Sequence, residues 1–206
     1  MKRTLIVIAL IAALIAPVWA QDSGTTPDGF EWEREGQIGL NGLAITSYTG
    51  TATTVRIPEQ INNRPVVAIY GQAFKGNTRI TSVIIPNTVI IIGYEVFRDC
   101  VNLTSVTLGT GLTDIDGQAF MGCVKLTSIT LPASISTIAG GAFRSCSALT
   151  TINIPDSVTS ITFGINMDTM SSGMSATRSN VTQFQGTRLN DASRQRLVNR
   201  GYTGQF

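Results

Sequence analysis

The sequence predicts an α+β solenoid of about five turns of 23 residues, with a β cap before the turns and a loop-and-helix cap after them. Two observations predict this fold class: phenylalanines recur every 23 residues, and cysteines and leucines follow them at fixed distances. The recurring residues are Phe74, Phe97, Phe120 and Phe143, then Cys100, Cys123 and Cys146, then Ile80, Leu103, Leu126 and Leu149. Such a period is typical of repeats that bury their apolar faces only by stacking on one another.

Residues 1–20 are predicted to be a secretory signal peptide that forms no part of the fold. Two basic residues precede an apolar run over residues 5–16, and small or aliphatic residues precede a cleavage point after Ala20. The alternative is an uncleaved anchor, but this run is shorter than the roughly 20 residues that span a bilayer. No later segment is long and apolar enough to cross a membrane, so no span is expected after cleavage.

The composition argues against several classes of function. Removing Lys2 and Arg3 from 15 basic residues leaves 13, which equals the 13 acidic residues, so the cleaved chain has a formal charge of zero. A neutral chain lacks the basic patch that nucleic acid or an anionic membrane attracts. The chain has no histidine, which removes Ser-His-Asp and Cys-His catalysis and most zinc sites. We therefore expect no enzyme, no cofactor and no metal site.

Each repeat is predicted to contain two short extended segments and a compact return. Apolar residues two positions apart, as at Val106 and Leu108, predict a first strand with one buried face, which Pro or Gly ends. A second extended segment follows, as in residues 135–138, and a compact turn or single helical turn then carries Phe and Cys back inside. These repeats cover residues 55–161, with a five-residue insertion near residues 61–65.

The repeats follow the pattern L-T-S-I-x-I-P-x-x-V-x-x-I-x-x-x-A-F-x-x-C over roughly half of the cleaved chain. This pattern resembles the BspA-like (treponemal-type) leucine-rich repeat, and residues 30–58 resemble the β-rich leading cap of that family. The resemblance implies an exported bacterial protein, periplasmic or at the outer surface. It also implies binding to other molecules, often host matrix proteins or other cells, and a pattern without catalytic residues.

Both ends of the array need caps, because a solenoid exposes apolar surface at each end. Within residues 21–54, segment 22–28 is predicted to be a polar, mobile tail, and the remainder a hairpin on the first turn. Residues 162–206 are predicted to be a long loop and a short helix at 190–200 that acts as a lid. A recognition or membrane-binding helix is the alternative, favoured by three arginines, but the apolar face is small. The arginines are Arg194, Arg196 and Arg200.

The cysteine column is interpreted as buried free thiols that serve as small core residues. Export favours a disulfide instead, but three cysteines leave one unpaired and parallel stacking holds the side chains apart. Asp114 and Asp116 are spaced like calcium ligands, yet other repeats carry no carboxylates there, so a solvated surface is favoured. Rows of threonine also suggest ice binding, but Arg56, Ile84 and Asn153 interrupt them.

The candidate binding surface is the outward side of the extended segments. Most outward residues of the first strands are hydroxyl-bearing, namely Ser82, Ser105, Thr107, Ser128 and Thr130. In the first full repeat, apolar residues replace the hydroxyl-bearing ones of later repeats, namely Ile84 in the first strand and Ile90 and Ile91 in the second extended segment. We hypothesise that Ile84, with Tyr70 and Tyr94 nearby, forms an apolar hollow on or beside the concave face. The alternative is that the cap or residues 62–65 cover these isoleucines.

The sequence thus predicts a non-catalytic binding module that contacts a protein partner, such as host matrix or a cell surface, through its concave strand face. A periplasmic carrier of a hydrophobic small ligand is the alternative. An exposed isoleucine patch would equally suit a homodimer interface.

Overall fold

The computed structural model describes residues 21–37 and 39–149, together with 151–153, 155, 157–158, 160–161 and 183–185. Regular structure in this part of the chain consists of strands. They are β1 (Ser23–Thr25), β2 (Phe30–Arg34), β3 (Leu43–Tyr48), β4 (Thr54–Arg56), β5 (Gln60–Ile61), β6 (Arg64–Ile69), β7 (Ser82–Ile84), β8 (Ile91–Ile92), β9 (Ser105–Thr107), β10 (Asp114–Ile115), β11 (Ser128–Thr130), β12 (Thr137–Ile138), β13 (Thr151–Asn153), β14 (Ser160–Ile161) and β15 (Gln183–Gln185).

The strands form two parallel stacks, as the two extended segments per repeat predict. The second segments join the cap in a nine-stranded sheet of order β1-β2-β3-β6-β8-β10-β12-β14, with β5 paired to β6. The first segments form the sheets β4-β7-β9 and β11-β13-β15, and β9 lies beside β11. Each repeat residue pairs with its counterpart 23 positions later, as Val83 does with Val106 and Ile92 with Ile115. The period in the sequence is therefore the register of the ladders.

The described residues contain about four regular turns of about 23 residues, and the predicted earlier turn with its insertion precedes them as a longer coil. In that first coil, the five inserted residues form an antiparallel hairpin of β5 and β6. Its turn residues, Asn62 and Asn63, have φ angles of 52° and 60°. Positive φ at both central positions is the condition for a type I′ turn, which matches the twist of the two strands. The insertion therefore lengthens one coil without disturbing the stack.

An aromatic column runs through the core from the cap into the repeats. The ring centroids of consecutive members lie 4.9–5.4 Å apart, in the order Phe30, Tyr48, Phe74, Phe97, Phe120 and Phe143. The repeat phenylalanines are stacked, and those at 97, 120 and 143 have no exposed surface. Offset stacking at this distance adds to the free energy of area burial. Cap and repeats therefore share one core.

The return segments close with hydrogen-bonded turns, so the helical turn that the α+β class allowed is absent from the described residues. Each return contains two positions in the left-handed region, with φ between 56° and 75°. They are Gln72, Glu95, Gln118 and Gly141, then Gly76, Asp99, Gly122 and Ser145. Such angles interrupt a right-handed helix. The predicted helix at 190–200 lies outside the described residues.

The first segment of the cap differs from its prediction. Residues predicted as a mobile tail form β1, which pairs antiparallel with β2 and aligns Gly24 with Trp32. Trp32 is almost fully buried, and a Cβ added at Gly24 would lie 2.8 Å from its ring. Glycine therefore permits the strand to cover the indole. The predicted hairpin of the cap is confirmed, because β2 pairs antiparallel with β3.

Candidate binding surface

The outward side chains of the first stack form a polar face. Val83, Val106 and Ile129 point inward and are buried, so the residues on either side of each point outward. We call this surface the hydroxyl face, and it consists of Ser82, Ile84, Ser105, Thr107, Ser128 and Thr130. The last four are exposed, whereas Ser82 and Ile84 are half-buried. All six are sequence-predicted site residues; the β7–β9 ladder aligns the first four, and β11 lies beside β9, so they form two rows.

Ile84 is the apolar residue of this face. It lies in register between Arg56 of β4 and Thr107 of β9. The cap does not cover it fully, since its side chain stays half-buried. Both of its ladder neighbours are exposed and carry polar groups. Ile84 is therefore a single apolar contact point within a row of polar side chains.

Ile91 and Tyr70 belong to the other sheet. Ile91 lies on β8 in register with Ala68 and packs against a small outer cluster of Ala44, Ala68 and Tyr70. Tyr70 is only 8% exposed. The two residues therefore contribute to a second small core on the outside of the large sheet. Ile84 and Ile91 lie on different sheets, so the isoleucines do not form one row of a shared face.

The loop after β2 explains why this outer cluster is buried. Tyr70 donates its hydroxyl hydrogen to Oε1 of Glu35, at 2.9 Å. The same carboxylate accepts from the backbone N–H groups of Gln37, at 2.6 Å, and Leu40, at 2.8 Å. Burial, followed by the bond to Glu35, raises the pKa of Tyr70 above its usual value. A buried carboxylate that accepts from Tyr70, Gln37 and Leu40 thus fixes the loop, and the cap covers Tyr70, which was expected to line the apolar hollow.

Ile90 and Tyr94 lie outside the cluster of Ala44, Ala68 and Tyr70. Ile90 is half-buried, and its N–H donates to the carbonyl of Val67 in the preceding coil. Tyr94 is 48% exposed and packs its ring over Gly117, where an added Cβ would lie 3.4 Å from the ring. Of the aromatic residues proposed for the hollow, only Tyr94 therefore presents its ring to solvent.

An ionic network beside Tyr94 was not predicted from the sequence. The side chain of Glu95 is 4% exposed and accepts from Lys75 Nζ at 2.6 Å and from Gln72 Nε2 at 3.0 Å. Arg98 also donates to Glu95, and its Nη1 lies 2.9 Å from Oε1 of Gln118 in the next coil. The bond from Lys75, then that from Arg98, lowers the pKa of Glu95 to about 2. The network links the return segments of three consecutive coils.

We predict that replacing Glu95 by glutamine makes the protein less stable at neutral pH and flattens its response to acid. The folded-state pKa lies below the usual 4.5, so the stabilisation is present above about pH 4.5 and is lost as the pH falls toward 2. Melting temperatures measured between pH 7 and pH 2 check this. The exposed Glu31→Gln variant is the control and should follow the wild type. A Glu95→Gln curve parallel to the wild-type curve would contradict the prediction.

The cysteines are buried thiols, as the sequence predicted. Cys100, Cys123 and Cys146 are unpaired with one another and fully buried. Each Sγ donates to a phenylalanine carbonyl of the preceding coil at 3.1 Å. Burial raises the pKa of Cys100 and of Cys146 from 9.0 to about 12, and that of Cys123 further. The thiols therefore stay protonated and act as internal hydrogen-bond donors.

Across residues 21–37, 39–149 and the shorter described segments, no three side chains of His, Cys, Asp or Glu are grouped as metal ligands would be. In the same part of the chain, no helix has the length and apolar character that a bilayer crossing requires. Asp114 is half-buried and accepts a bond from the Thr113 hydroxyl at 2.5 Å, whereas Asp116 is exposed.

Stacked 23-residue coils with inward Ile, Leu and Phe columns define a leucine-rich repeat protein of the β-solenoid type. The chain belongs to the BspA-type leucine-rich repeat family: the model described as "BspA type Leucine rich repeat region (6 copies)" matches residues 67–190. This match covers more than half of the chain and confirms the family resemblance seen in its sequence.

Solved structures show the same fold. A leucine-rich repeat protein of T. pallidum is 25% identical with a TM-score of 0.67, over 89% of this chain and 99% of that chain. A leucine-rich repeat protein from Bacteroides ovatus ATCC 8483 is 27% identical with a TM-score of 0.56, over 67% of this chain and 37% of that chain. A leucine rich cell surface protein from Faecalibacterium prausnitzii A2-165 is 29% identical with a TM-score of 0.53, over 68% and 44%. No curated protein matches this chain.

Proposed function

We propose that the protein is an exported, non-catalytic binding module that contacts a partner protein through the hydroxyl face. The observation that carries the proposal is the pair of outward rows, in which Ser105, Thr107, Ser128 and Thr130 are all exposed on consecutive strands. We propose that this face is the concave side of the solenoid. Host matrix proteins and cell surfaces are the partners that the resemblance implies.

The rigid strands and small side chains of the hydroxyl face suit it to binding a protein. Strand β7 is hydrogen-bonded to β4 and β9, β11 is bonded to β13, and buried columns back these strands, so the outward groups are held in place before a partner arrives. Serine and threonine lose little conformational entropy on contact, and their hydroxyls both donate and accept hydrogen bonds. Half-buried Ile84 adds an apolar contact beside the cation of Arg56. A partner with polar backbone or amide groups and one apolar side chain would fit this surface.

Export is part of the proposal. The N-terminal segment has the basic start, apolar run and small-residue end of a signal peptide. A structural relative from Faecalibacterium prausnitzii is named a cell surface protein. We propose that residues 1–20 are removed and that the remaining chain functions in the periplasm or at the outer surface.

The proposal predicts that Ile84→Glu reduces partner binding by tenfold or more. The bound partner would bury the new carboxylate at the centre of the contact without a pairing group. The measurement is surface binding of the purified protein to immobilised collagen, laminin and fibronectin. Val124→Glu is the matched control, since Val124 is 39% exposed and lies in a return segment away from the hydroxyl face. Equal binding by the two variants would contradict the use of this face.

The same experiment tests the carrier alternative. A carrier would bind small apolar fluorescent probes saturably and would ignore immobilised proteins. Homodimerisation through Ile84 would instead appear as a concentration-dependent increase in mass that Ile84→Glu removes and Val124→Glu retains.

A further inference from the structure

A cleft of about 540 Å³ lies where the first coil meets the cap. Its walls are two loop segments, residues 27–30 and 48–52, and the strand β4. This volume falls within the range of roughly 300–1,000 Å³ that ligand sites occupy. The cleft contains none of the six residues of the hydroxyl face, although Arg56, which lines it, is the ladder neighbour of Ile84.

The cleft runs along an edge of β4 rather than over one face. Successive side chains of a strand point to opposite faces, yet Thr54, Val55 and Arg56 all line the cleft. A cleft over one face of a strand would contact only every second residue, so a cleft that three consecutive residues line must run along the strand's backbone edge. One edge of β4 is taken by β7, and β4 is the terminal strand of its sheet. The cleft therefore follows the other edge.

The backbone groups on that edge are open. The N–H of Ile57 donates to Ile84, and the carbonyl of Thr53 accepts from Ser82. In a parallel ladder, alternate residues bond the same neighbour, so residues 53, 55 and 57 face β7, whereas Thr54 and Arg56 face away. Within the described part of the chain, β4 has no partner on that side. An unpaired strand edge is a template for a further strand.

The side chains around the edge specify what such a strand would carry. Tyr48 lines the cleft, is half-buried and continues the aromatic column of the core. Arg56 and Asp28 are the charged residues of the lining, and both are exposed. No described group pairs with the Arg56 guanidinium. An acidic side chain placed in register with Arg56 would form the cross-strand pair that opposite charges favour.

We propose that the free edge of β4 is a peptide-binding site. It takes an extended segment of another protein, which pairs with the backbone of Thr54 and Arg56 as an added strand. The segment presents an acidic residue beside Arg56 and an apolar residue toward Tyr48. Backbone bonds supply the affinity in this mode of recognition, and alternate side chains supply the selectivity.

The probe is the peptide acetyl-TSVEI-amide, which copies residues 81–85 with glutamate at the position of Ile84. Titrated into the ¹⁵N-labelled full chain, it should bind saturably and slow hydrogen exchange at the amides of Thr54 and Arg56. Because β7 already protects Val55, that amide should not change. Saturable binding without slower exchange at both edge amides would overturn the proposal, as would an absence of binding.

Charge reversal tests the selectivity. Arg56→Glu should weaken binding of the glutamate peptide about fivefold or more. The lysine peptide acetyl-TSVKI-amide should restore binding to this variant, with an affinity equal to that of the glutamate peptide for the wild type. Arg79→Glu is the matched control, because Arg79 is an exposed cation outside the cleft, and it should bind like the wild type. Equal affinities for Arg56→Glu and Arg79→Glu would overturn the role of Arg56.

Backbone methylation separates strand pairing from simple charge attraction. Two further peptides carry N-methyl groups on alternate residues: one peptide is methylated at its odd positions and the other at its even positions. Only alternate N–H groups of the peptide would face β4, so one methylated peptide should lose binding and the other should retain it. Equal behaviour of the two methylated peptides would overturn strand addition even where the charge effect is present.

Discussion

Phe120→Ala is expected to lower the free energy of unfolding by about 3–5 kcal/mol, the range for removing a buried phenylalanine. Phe120 has no exposed surface, and its ring lies 5.2 Å from that of Phe97 and 5.4 Å from that of Phe143. The neighbouring coils are held by ladders in fixed register, so they cannot move into the space that the ring leaves. The loss therefore includes both area burial and a residual cavity. Urea unfolding followed by circular dichroism gives the value.

Two controls define the interpretation. Phe120→Leu keeps most of the volume and should cost clearly less than the alanine variant. Tyr94→Ala removes a ring that is 48% exposed and should change stability far less. A loss below about 1 kcal/mol for Phe120→Ala would show that the coils do collapse around the site, contrary to a rigid stack.

Gly109→Ala is expected to destabilise the protein by about 1–3 kcal/mol, although alanine usually suits a chain better than glycine. Gly109 occupies the position that proline holds in other repeats, at Pro86 and Pro132. In the structure Gly109 is buried, and a Cβ there would overlap the carbonyl oxygen of Pro86. The adjacent N–H of Thr110 donates to the Asn87 side chain at 2.8 Å, which holds these two coils together.

The same geometry predicts that Gly109→Pro, which restores the repeat pattern, also destabilises. Gly36→Ala is the matched control, because an added Cβ there meets nothing within 4 Å, and it should change stability by less than about 0.5 kcal/mol. The urea midpoints of Gly109→Ala, Gly109→Pro and Gly36→Ala, compared with that of the wild type, test these expected changes in stability. A Gly109→Pro variant more stable than wild type would mean that the repeat consensus, and not the local contact, governs this position.

The inward columns could be predicted from the sequence because burial and spacing are linked in a repeat. One apolar residue at an inward position recurs 23 residues later, and the ladder then places the two side by side, as with Ile115 and Ile138. The rows of the hydroxyl face follow from the same alternation. The hairpin of the cap was also predicted, because Leu43, Ile45 and Tyr48 mark its inward side.

The features that were missed depend on contacts without a period. Tyr70 was assigned to an exposed hollow, yet Glu35, 35 residues earlier, buries it through a side-chain bond. Two of the partners of Glu95, Gln72 and Lys75, stand 23 and 20 residues away, but only one coil carries the carboxylate. The strand β1 forms because a glycine allows it to lie over Trp32, which polarity and composition do not reveal. A long-range contact made once leaves no repeated signal.

The paired left-handed positions of each return constrain how such a chain can change in length. Gln72, Glu95, Gln118 and Gly141 recur at the 23-residue interval, so an extra residue within a return would disturb this spacing of left-handed positions in that coil. Growth by duplication must then proceed in whole coils. The hairpin turn at Asn62 and Asn63 is different, since it projects from a coil and already holds an insertion. Complete units and that hairpin are therefore the places where a change in length leaves the returns intact.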